Sequence, residues 1–230
     1  MADSPASARF AFAPGVPEQV ADYLQAQIVR GELAPGERIA EARVTAALNV
    51  SRGPVREALQ RLAARHLVFL EPRRGARVSS FDLNDAQGLF DVYVALVIRL
   101  AERVAQRVGA GDDHSLDALL TEHSAQLNAA VATGDTLAVL GACDAFLARG
   151  AQVIGNAYLG GMLARLAPAF GRAHYVALNR SADATTRLGD FVSELIDAIT
   201  RGRSDDVAAI VERYARAQMS VIAQELGEKT

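Results

Sequence analysis

The sequence predicts a mainly α protein in two parts, a small N-terminal unit and a C-terminal bundle of six or seven helices. Three observations support this fold class. Residues 45–62 contain two short helical segments separated by a tight turn, and a basic, glycine-containing turn follows at 73–77. From residue 82 onward, long amphipathic segments succeed one another with apolar residues three and four apart. Half of the 230 residues are hydrophobic, which is enough for a core in both parts.

Two short helices joined by a tight turn are predicted at about 40–48 and 52–65. Ser51 is a favourable N-cap for the second helix, and Pro54 falls in its first turn, where a missing N–H costs nothing. Apolar residues at spacings of three and four form one stripe that we expect to be buried: Val55, Ala58, Leu59 and Leu62. Another face carries polar side chains: Arg52, Arg56 and Gln60. This arrangement is typical of a helix-turn-helix whose second helix enters the major groove of DNA.

A basic turn follows the second short helix. The run Arg73-Arg74-Gly75-Ala76-Arg77 lies before Val78 and after two apolar residues, as the tip of a small β-hairpin or wing would. Between residues 51 and 77 there are seven arginines and two glutamates, a local charge of +5 in a chain whose net charge is −3. This surplus indicates a phosphate-facing surface. An arginine-rich solvated helix is the alternative, but it would not account for the turn, the proline or the glycine.

Further helices are predicted on both sides of these elements. A first helix from about Pro17 to Arg30 should end at Gly31, and an extended turn should follow at 33–39. The later part should contain helices at about 84–108, 113–133, 135–155, 157–167, 169–179, 183–201 and 204–226. The break between the fourth and fifth of these is predicted from Pro168. Short loops between the helices indicate an antiparallel all-α bundle.

Charge and chemistry distinguish the two parts. Residues 14–81 carry a net charge of +3 and residues 82–230 one of −6, so we expect the first part to contact nucleic acid. No nucleophile–base pair, phosphate-binding glycine loop or acid cluster indicates an enzyme. No apolar run has membrane-spanning length and no signal peptide is evident, so a cytoplasmic protein with no membrane partner is expected. The single cysteine, Cys143, excludes an intramolecular disulfide.

Three segments of the N-terminal part carry a family resemblance: Gly31–Ile39, Val50–Leu59 and Arg73–Val78. Together they strongly resemble the winged helix-turn-helix of GntR-family transcription regulators, and the likeness covers roughly residues 16–80. The chain looks most like the FadR branch, in which a second, helical domain binds a small-molecule effector. Residues 1–15, rich in Ala, Ser and Pro, are expected to form a flexible arm. The resemblance implies a DNA-binding domain at 16–80 and an effector-binding and dimerisation domain at 81–230.

The resemblance also implies how such a protein acts. A homodimer would bind a palindromic double-stranded DNA operator, with repression expected rather than activation. Arg52 and Arg56 should read base edges, most readily those of guanine, while Ser51 and Gly53 should lie near phosphate. Arg43 and the arginines of the wing should neutralise phosphates or reach the minor groove. The complete set of expected DNA-binding residues is Arg43, Ser51, Arg52, Gly53, Pro54, Arg56, Arg73, Arg74, Gly75 and Arg77.

Many domains of the FadR branch hold a metal ion with one Asp and three His. The residues that stand at or beside the corresponding positions here are Cys143, Asp144, Leu147, Val192 and Arg216. A metal needs several nitrogen, oxygen or thiolate donors that converge, and this set cannot supply them. Of the remaining histidines, His123 is expected on the surface and His174 in the bundle interior. We therefore predict no metal and no cofactor.

The effector pocket is expected to be lined by polar residues of several helices: Tyr93, Asp144, Asn156, Arg172, Tyr175 and Arg216. Arg172 and Arg216 would hold an anionic effector by paired hydrogen bonds, which makes an organic acid a candidate. Each arginine is alternatively a member of a salt bridge, and Asn156 a cap or turn residue. Cys143 and Phe146 are expected in the core. The alternative function is a dimeric DNA-binding regulator whose helical domain binds no effector.

Overall fold

A computed structural model describes residues 15–71, 75–111, 114–180 and 183–227 of the chain. Within these ranges the backbone forms nine helices and three short strands, so the predicted mainly α fold is confirmed. The elements of the N-terminal part are α1 (Val16–Val29), β1 (Arg38–Ile39), α2 (Glu41–Leu48), α3 (Arg52–Ala64), β2 (Val68–Glu71) and β3 (Gly75–Val78). Those of the bundle are α4 (Leu83–Gly109), α5 (His114–Thr133), α6 (Thr136–Val153), α7 (Ala157–Leu178), α8 (Ala184–Thr200) and α9 (Ser204–Gly227).

The N-terminal part has its own core, in which α1 packs against α3 and α3 against α2. The apolar stripe predicted for α3 is buried here, together with Leu24 and Ile28 of α1. α2 ends at Asn49, whose left-handed backbone (φ 51°) turns the chain toward α3. Ser51 is the N-cap of α3, as predicted, but its side chain makes no capping hydrogen bond. These contacts bury the apolar face of α3 and leave its polar face exposed.

The wing contains one strand more than the sequence predicted. β3 lies in the middle of a three-stranded antiparallel sheet, with β1 on one side and β2 on the other. In this register Arg38 lies opposite Arg77, and Phe69 lies opposite Arg77 on the other side. The segment at 33–39 was predicted as an extended turn only. A strand of two residues is too short to show apolar alternation, so the sequence could not reveal β1.

The bundle is built around α4, which packs against α9, α7, α8 and α6. It contains six helices within the described residues, because the chain continues as one helix through Pro168, where a break was predicted. Proline removes one backbone hydrogen bond and usually kinks or ends a helix at a cost of about 3 kcal/mol. Here Ala167, Pro168 and Ala169 are all buried, and the packing of these residues in the bundle offsets that cost.

Two arginines of α7 join the bundle to the N-terminal part. Arg172 Nη1 donates a hydrogen bond to the backbone carbonyl of Ser79 at 2.9 Å, and the bond is buried. Arg165 Nε donates to the carbonyl of Ala64, the last residue of α3, at 3.1 Å on the surface. α1 also packs against α7. The C-terminal end of α3 and the chain that leaves the wing are therefore both bonded to α7.

Candidate functional site

The start of α3 is an exposed polar part of the N-terminal unit. Ser51, Arg52 and Gly53 are all exposed, and Pro54 is half-buried in the first turn. Among the described residues Arg52 has no ion-pair partner, so its guanidinium is available to a ligand. The N-terminus of a helix also concentrates positive electrostatic potential from unpaired backbone N–H groups. This end of α3 therefore has the geometry and charge to meet a phosphate backbone.

Arg56 is one turn further along α3 and is tied to α2. Its Nε donates to Glu41 Oε2 at 3.0 Å, and about two-thirds of the Arg56 side chain remains exposed. An exposed ion pair of this kind contributes at most about 1 kcal/mol, so a ligand can compete for the arginine. The two residues line a surface groove between α3 and the wing, with Gln60, Leu70 and Gly75 on its other sides.

The wing presents a row of three side chains on its open face. Arg38, Arg77 and Phe69 are exposed and lie side by side across the three strands. Arg77 is held by Glu71 at 3.0 Å and by the carbonyl of Gly36 at 3.0 Å. Arg38 was missed by sequence reasoning, because only its pairing with Arg77 across β1 and β3 brings it to the wing.

The remaining arginines of the N-terminal part have different surroundings. Arg61 and Arg65 both bond to Glu18 of α1, which holds α1 against α3. The hydrogen bond from Arg65 is the main reason that the pKa of Glu18 is lowered. Arg43 is exposed on α2. Arg73 and Arg74 lie outside the described residues, while Gly75, at the start of β3, has a φ of +91° that favours glycine.

A cavity of about 100 Å³ lies inside the bundle, with walls from α4 to α9. Its lining is mostly apolar and rich in aromatic rings. Tyr93 stacks on Phe170, with ring centroids 4.1 Å apart, and Phe191 stacks on Tyr214 at the same distance. No lysine or arginine is among the described residues that line it. The cavity is suited to a flat apolar body rather than to a highly charged one.

Desolvation shifts the pKa of five ionisable groups on the cavity wall, and it raises that of Tyr214. Burial lowers the pKa of His174 to about 4, so its ring is neutral, and it bonds to Tyr214 Oη at 2.7 Å. Burial raises the pKa of the Cys143 thiol to about 12, which keeps it protonated. Burial also raises the pKa of Tyr93. Asp144 lies at the edge of the cavity and is partly open to solvent, yet desolvation raises the pKa of its carboxyl to about 6.

Two further polar atoms in the cavity are buried without a hydrogen-bond partner among the described residues. They are Nδ1 of His123 and Oε1 of Gln218. Gln218 is 5% exposed, and both side chains line the cavity. A buried acceptor or donor without a partner costs about 1–3 kcal/mol. His123 was predicted on the surface, but its ring packs against Phe146 inside the bundle. Gln218 was not singled out from the sequence at all.

The structure brings only part of the predicted effector set together. Tyr93 and Asp144 line the cavity. Asn156 instead caps α7, since its side chain accepts from the backbone N–H of Leu159 at 3.0 Å. Arg172 bonds to the Ser79 carbonyl, and Arg216 is exposed and paired with Glu212 at 3.3 Å within α9.

Tyr175 is also not among the described residues that line the cavity. It follows His174 directly on α7, and one residue step rotates a side chain by about 100° around a helix axis. Its ring packs behind the cavity wall, against the hydrophobic cluster that contains Leu178 and the lining residue Leu188. The cavity face of α9 is formed by Val211, Tyr214, Ala215 and Gln218, so the prediction that Arg216 lines the pocket was wrong.

Four of the five positions that resemble the metal site of the FadR branch meet in this cavity, and Arg216 does not. Cys143, Asp144, Leu147 and Val192 all line it. Leu147 and Val192 offer no donor atom, and the Cys143 thiol is held in its neutral form. Within the described residues no three side chains of the His, Cys, Asp and Glu types lie close enough to hold a metal ion. The residues at these positions therefore do not supply the converging donors that such an ion needs.

The fold defines a class of protein: a winged helix-turn-helix domain with an attached helical domain that contains a cavity. Residues 17–78 match the family described as bacterial regulatory proteins, gntR family, and residues 88–217 match the FCD domain. The chain belongs to the GntR family of transcription regulators and carries an FCD domain, consistent with the FadR type.

Individual relatives agree with this assignment over part of the chain. A regulator named YdfH from Escherichia coli O6:H1 is 31% identical over 104 residues, which is 45% of this chain and 46% of that protein. The repressor RspR of E. coli K12 is 30% identical over 102 residues, covering 44% and 45%. The repressor GlaR of the same strain is 29% identical over 123 residues, covering 54% and 50%. The chain thus spans about half the length of the curated relatives it matches.

Solved structures share the fold over nearly the whole chain. E. coli McbR/YncC gives a TM-score of 0.73 at 18% identity, covering 93% of this chain and 99% of that one. A GntR regulator from Rhodococcus sp. RHA1 gives 0.66 at 24% identity, covering 90% and 97%. At these identities the likeness establishes the fold alone. Across the residues that the structure describes, no helix is long and apolar enough to cross a bilayer.

Proposed function

We propose that this GntR-family regulator is a homodimeric, ligand-responsive repressor that binds a palindromic DNA operator in the cytoplasm. Residues 16–80 would bind DNA, and residues 81–230 would dimerise and bind the effector. The names of RspR and GlaR as repressors support repression, and the lack of an enzyme-like residue constellation supports a non-enzymatic role. We also propose that the helical domain works without a metal.

The observation that carries this proposal is Arg52 at the start of α3, which is exposed and has no ion-pair partner among the described residues. Two such helices, held about one helical turn of DNA apart by a dimer, would enter successive major grooves. Arg52 would read a base edge and Arg56 a second one after leaving Glu41. Ser51, Gly53 and Pro54 would lie along the phosphates, and Arg38, Arg43, Arg73, Arg74, Gly75 and Arg77 would add backbone or minor-groove contacts.

The DNA-binding role is tested with operator fragments selected from random DNA by the wild-type protein. Arg52→Ala should weaken binding to the selected site by roughly 5–150-fold, since one bidentate base contact is worth about 1–3 kcal/mol. Gel-shift titration at fixed salt measures this. Arg201→Ala is the matched control, because Arg201 is an exposed arginine of the bundle that pairs with Asp197. Equal affinities of the wild type and Arg52→Ala would overturn the proposal.

The bundle cavity supports the sensing role. Its unfilled volume and unpartnered polar atoms are costly features for a domain that only dimerises, since filling the space with apolar side chains would stabilise it. The second candidate, a regulator with an unresponsive bundle, is separated by melting temperature: a ligand that binds only the folded state raises it. The wing and α3 are tied to α7, so a ligand that moves α7 would reorient the DNA-binding part.

A further inference from the structure

We infer that the effector is an uncharged molecule with a flat apolar body and one hydrogen-bond donor that meets Gln218. This inference rests on the proposed sensing role of the bundle and names the chemical class that the cavity would take. It differs from the anionic organic acid that the sequence suggested.

The charges around the cavity disfavour an anion. Both arginines expected to hold an acid are elsewhere, one at the Ser79 carbonyl and the other on the outer face of α9. His174 is buried, bonded to Tyr214 and neutral near pH 7. The carboxyl of Asp144 is the one acidic group among the described lining residues. A carboxylate ligand would lose its hydration without gaining a counter-ion, and it would repel Asp144.

The unpartnered atoms specify where the polar end of the ligand lies. Gln218 Oε1 accepts hydrogen bonds only, so it calls for a donor. His123 Nδ1 takes either role, according to the tautomer of the ring. Both atoms are fully enclosed, and Gln218 projects from the α9 face that also carries Tyr214. A hydroxyl or amide group donates to Gln218 Oε1 without bringing a charge into the cavity.

Asp144 does not turn the site into one for a cation. It lies where the cavity borders the cleft between the bundle and α1, which is also lined by Asp22 and Arg65. Gln218 and His123 line the cavity but not that cleft. An ammonium group at the buried end would lose its hydration without gaining a carboxylate partner, which opposes its binding. The aromatic stacks then surround the apolar remainder of the ligand.

Four matched probes test this class on the full chain at pH 7.5: toluene, benzyl alcohol, benzylamine and sodium benzoate. They share one ring and differ in the polar group. Benzyl alcohol should raise the melting temperature most and bind about tenfold more tightly than toluene, because it pairs an otherwise unmet acceptor. Benzoate should give no shift. A larger shift with benzoate or benzylamine, or no shift with any probe, would overturn the inference.

A variant tests whether Gln218 causes the preference for benzyl alcohol over toluene. Gln218→Leu removes the acceptor at similar volume, so toluene and benzyl alcohol should then bind within about twofold of each other. The ligand-free melting temperature of this variant should not fall, which shows that it folds. Asp144→Asn is the control and should keep the tenfold preference for the alcohol. A preference that survives in Gln218→Leu, or disappears in Asp144→Asn, would contradict the assignment.

Operator binding, measured in parallel by gel shift, keeps the two proposals separate. If benzoate binds best and the wild type still binds its selected operator, only the ligand class is wrong. If no probe binds while operator binding persists, the inference fails and the unresponsive regulator is favoured. If the wild type selects no DNA site, the proposed function itself fails, whatever the probes do.

Discussion

Arginine side chains of the N-terminal part have different roles because they have different partners. Arg61 and Arg65 belong to the packing of α1 on α3 through Glu18, whereas Arg56 is shared with Glu41 of α2. Arg52 has no such partner among the described residues and is exposed. The local charge of +5 therefore overstates what faces DNA. Glu18 and Glu41 precede the basic segment in the chain, so only the folded structure shows which charges they neutralise.

Also at the residue scale, His174 should make stability depend on pH. Its pKa is about 4 in the folded state and about 6.5 in an unfolded chain, so the unfolded state binds more protons between those values. The free energy of unfolding should therefore rise as pH increases from about 4 to about 6.5 and then level off. Asp144, with its raised pKa, acts in the opposite direction over about pH 4–6.

The substitution His174→Gln isolates the contribution of this histidine. Between pH 4 and 7 the free energy of unfolding of the variant should rise less than that of the wild type, by up to about 3 kcal/mol. Urea unfolding at a series of pH values measures the slope. His66→Asn is the matched control, because His66 is exposed and has a φ of 60° that asparagine also adopts. Identical slopes for His174→Gln and the wild type would refute the linkage.

At the scale of elements, α7 connects the bundle cavity to the N-terminal part. One face of the helix carries Phe170 and His174, which line the cavity, and another carries Arg165 and Arg172, which bond to carbonyls of the N-terminal part. Pro168 lies between these positions and is buried. Because one rigid helix carries both sets, a ligand that shifts α7 also shifts its bonds to Ala64 and Ser79.

The two arginines of α7 should differ in their contribution to stability. Arg172→Ala leaves the buried carbonyl of Ser79 without its donor and should cost about 2 kcal/mol. Arg165→Ala breaks an exposed bond and should cost less than about 1 kcal/mol, which makes it the matched control. Urea unfolding of both variants at pH 7 measures the difference. Equal costs would show that burial of the Arg172 bond does not matter.

At the scale of the whole molecule, the N-terminal core and the bundle clusters are separate, with α7 and the segment after β3 between them. α4 begins just after that segment, at a capping box formed by Asp82 and Asp85. This cap fixes the start of α4 within a few residues of the Ser79 carbonyl. Orientation of the DNA-binding part is thus set at a few contacts, and a modest coupling free energy of about 1–3 kcal/mol would change it.

The proposed operator symmetry requires two chains. Light scattering of the purified protein should give a mass of about 49 kDa, twice the 24.4 kDa of one chain. The measurement should be made at micromolar concentration with and without the selected operator. A 24.4 kDa species in both conditions would rule out simultaneous binding of two half-sites by a preformed dimer.

The sequence by itself determined the helices, their buried stripes and the helix-turn-helix, because these depend on local spacing, capping residues and turn residues. It also indicated Tyr93 and Asp144 as cavity residues. It placed Arg216 in the pocket and His123 outside, and it ended a helix at Pro168. Those outcomes depend on how each helix is rotated and supported by its neighbours.

Tertiary packing decided that rotation. A single residue step on a helix turns a side chain by about 100°, so Gln218 lines the cavity while Arg216, two steps before it, faces solvent. The same packing supports an interior proline and separates Arg172 from the cavity. The identity of the polar groups that line the cavity is therefore a property of the assembled bundle, since only the neighbouring helices fix the phase of each helix.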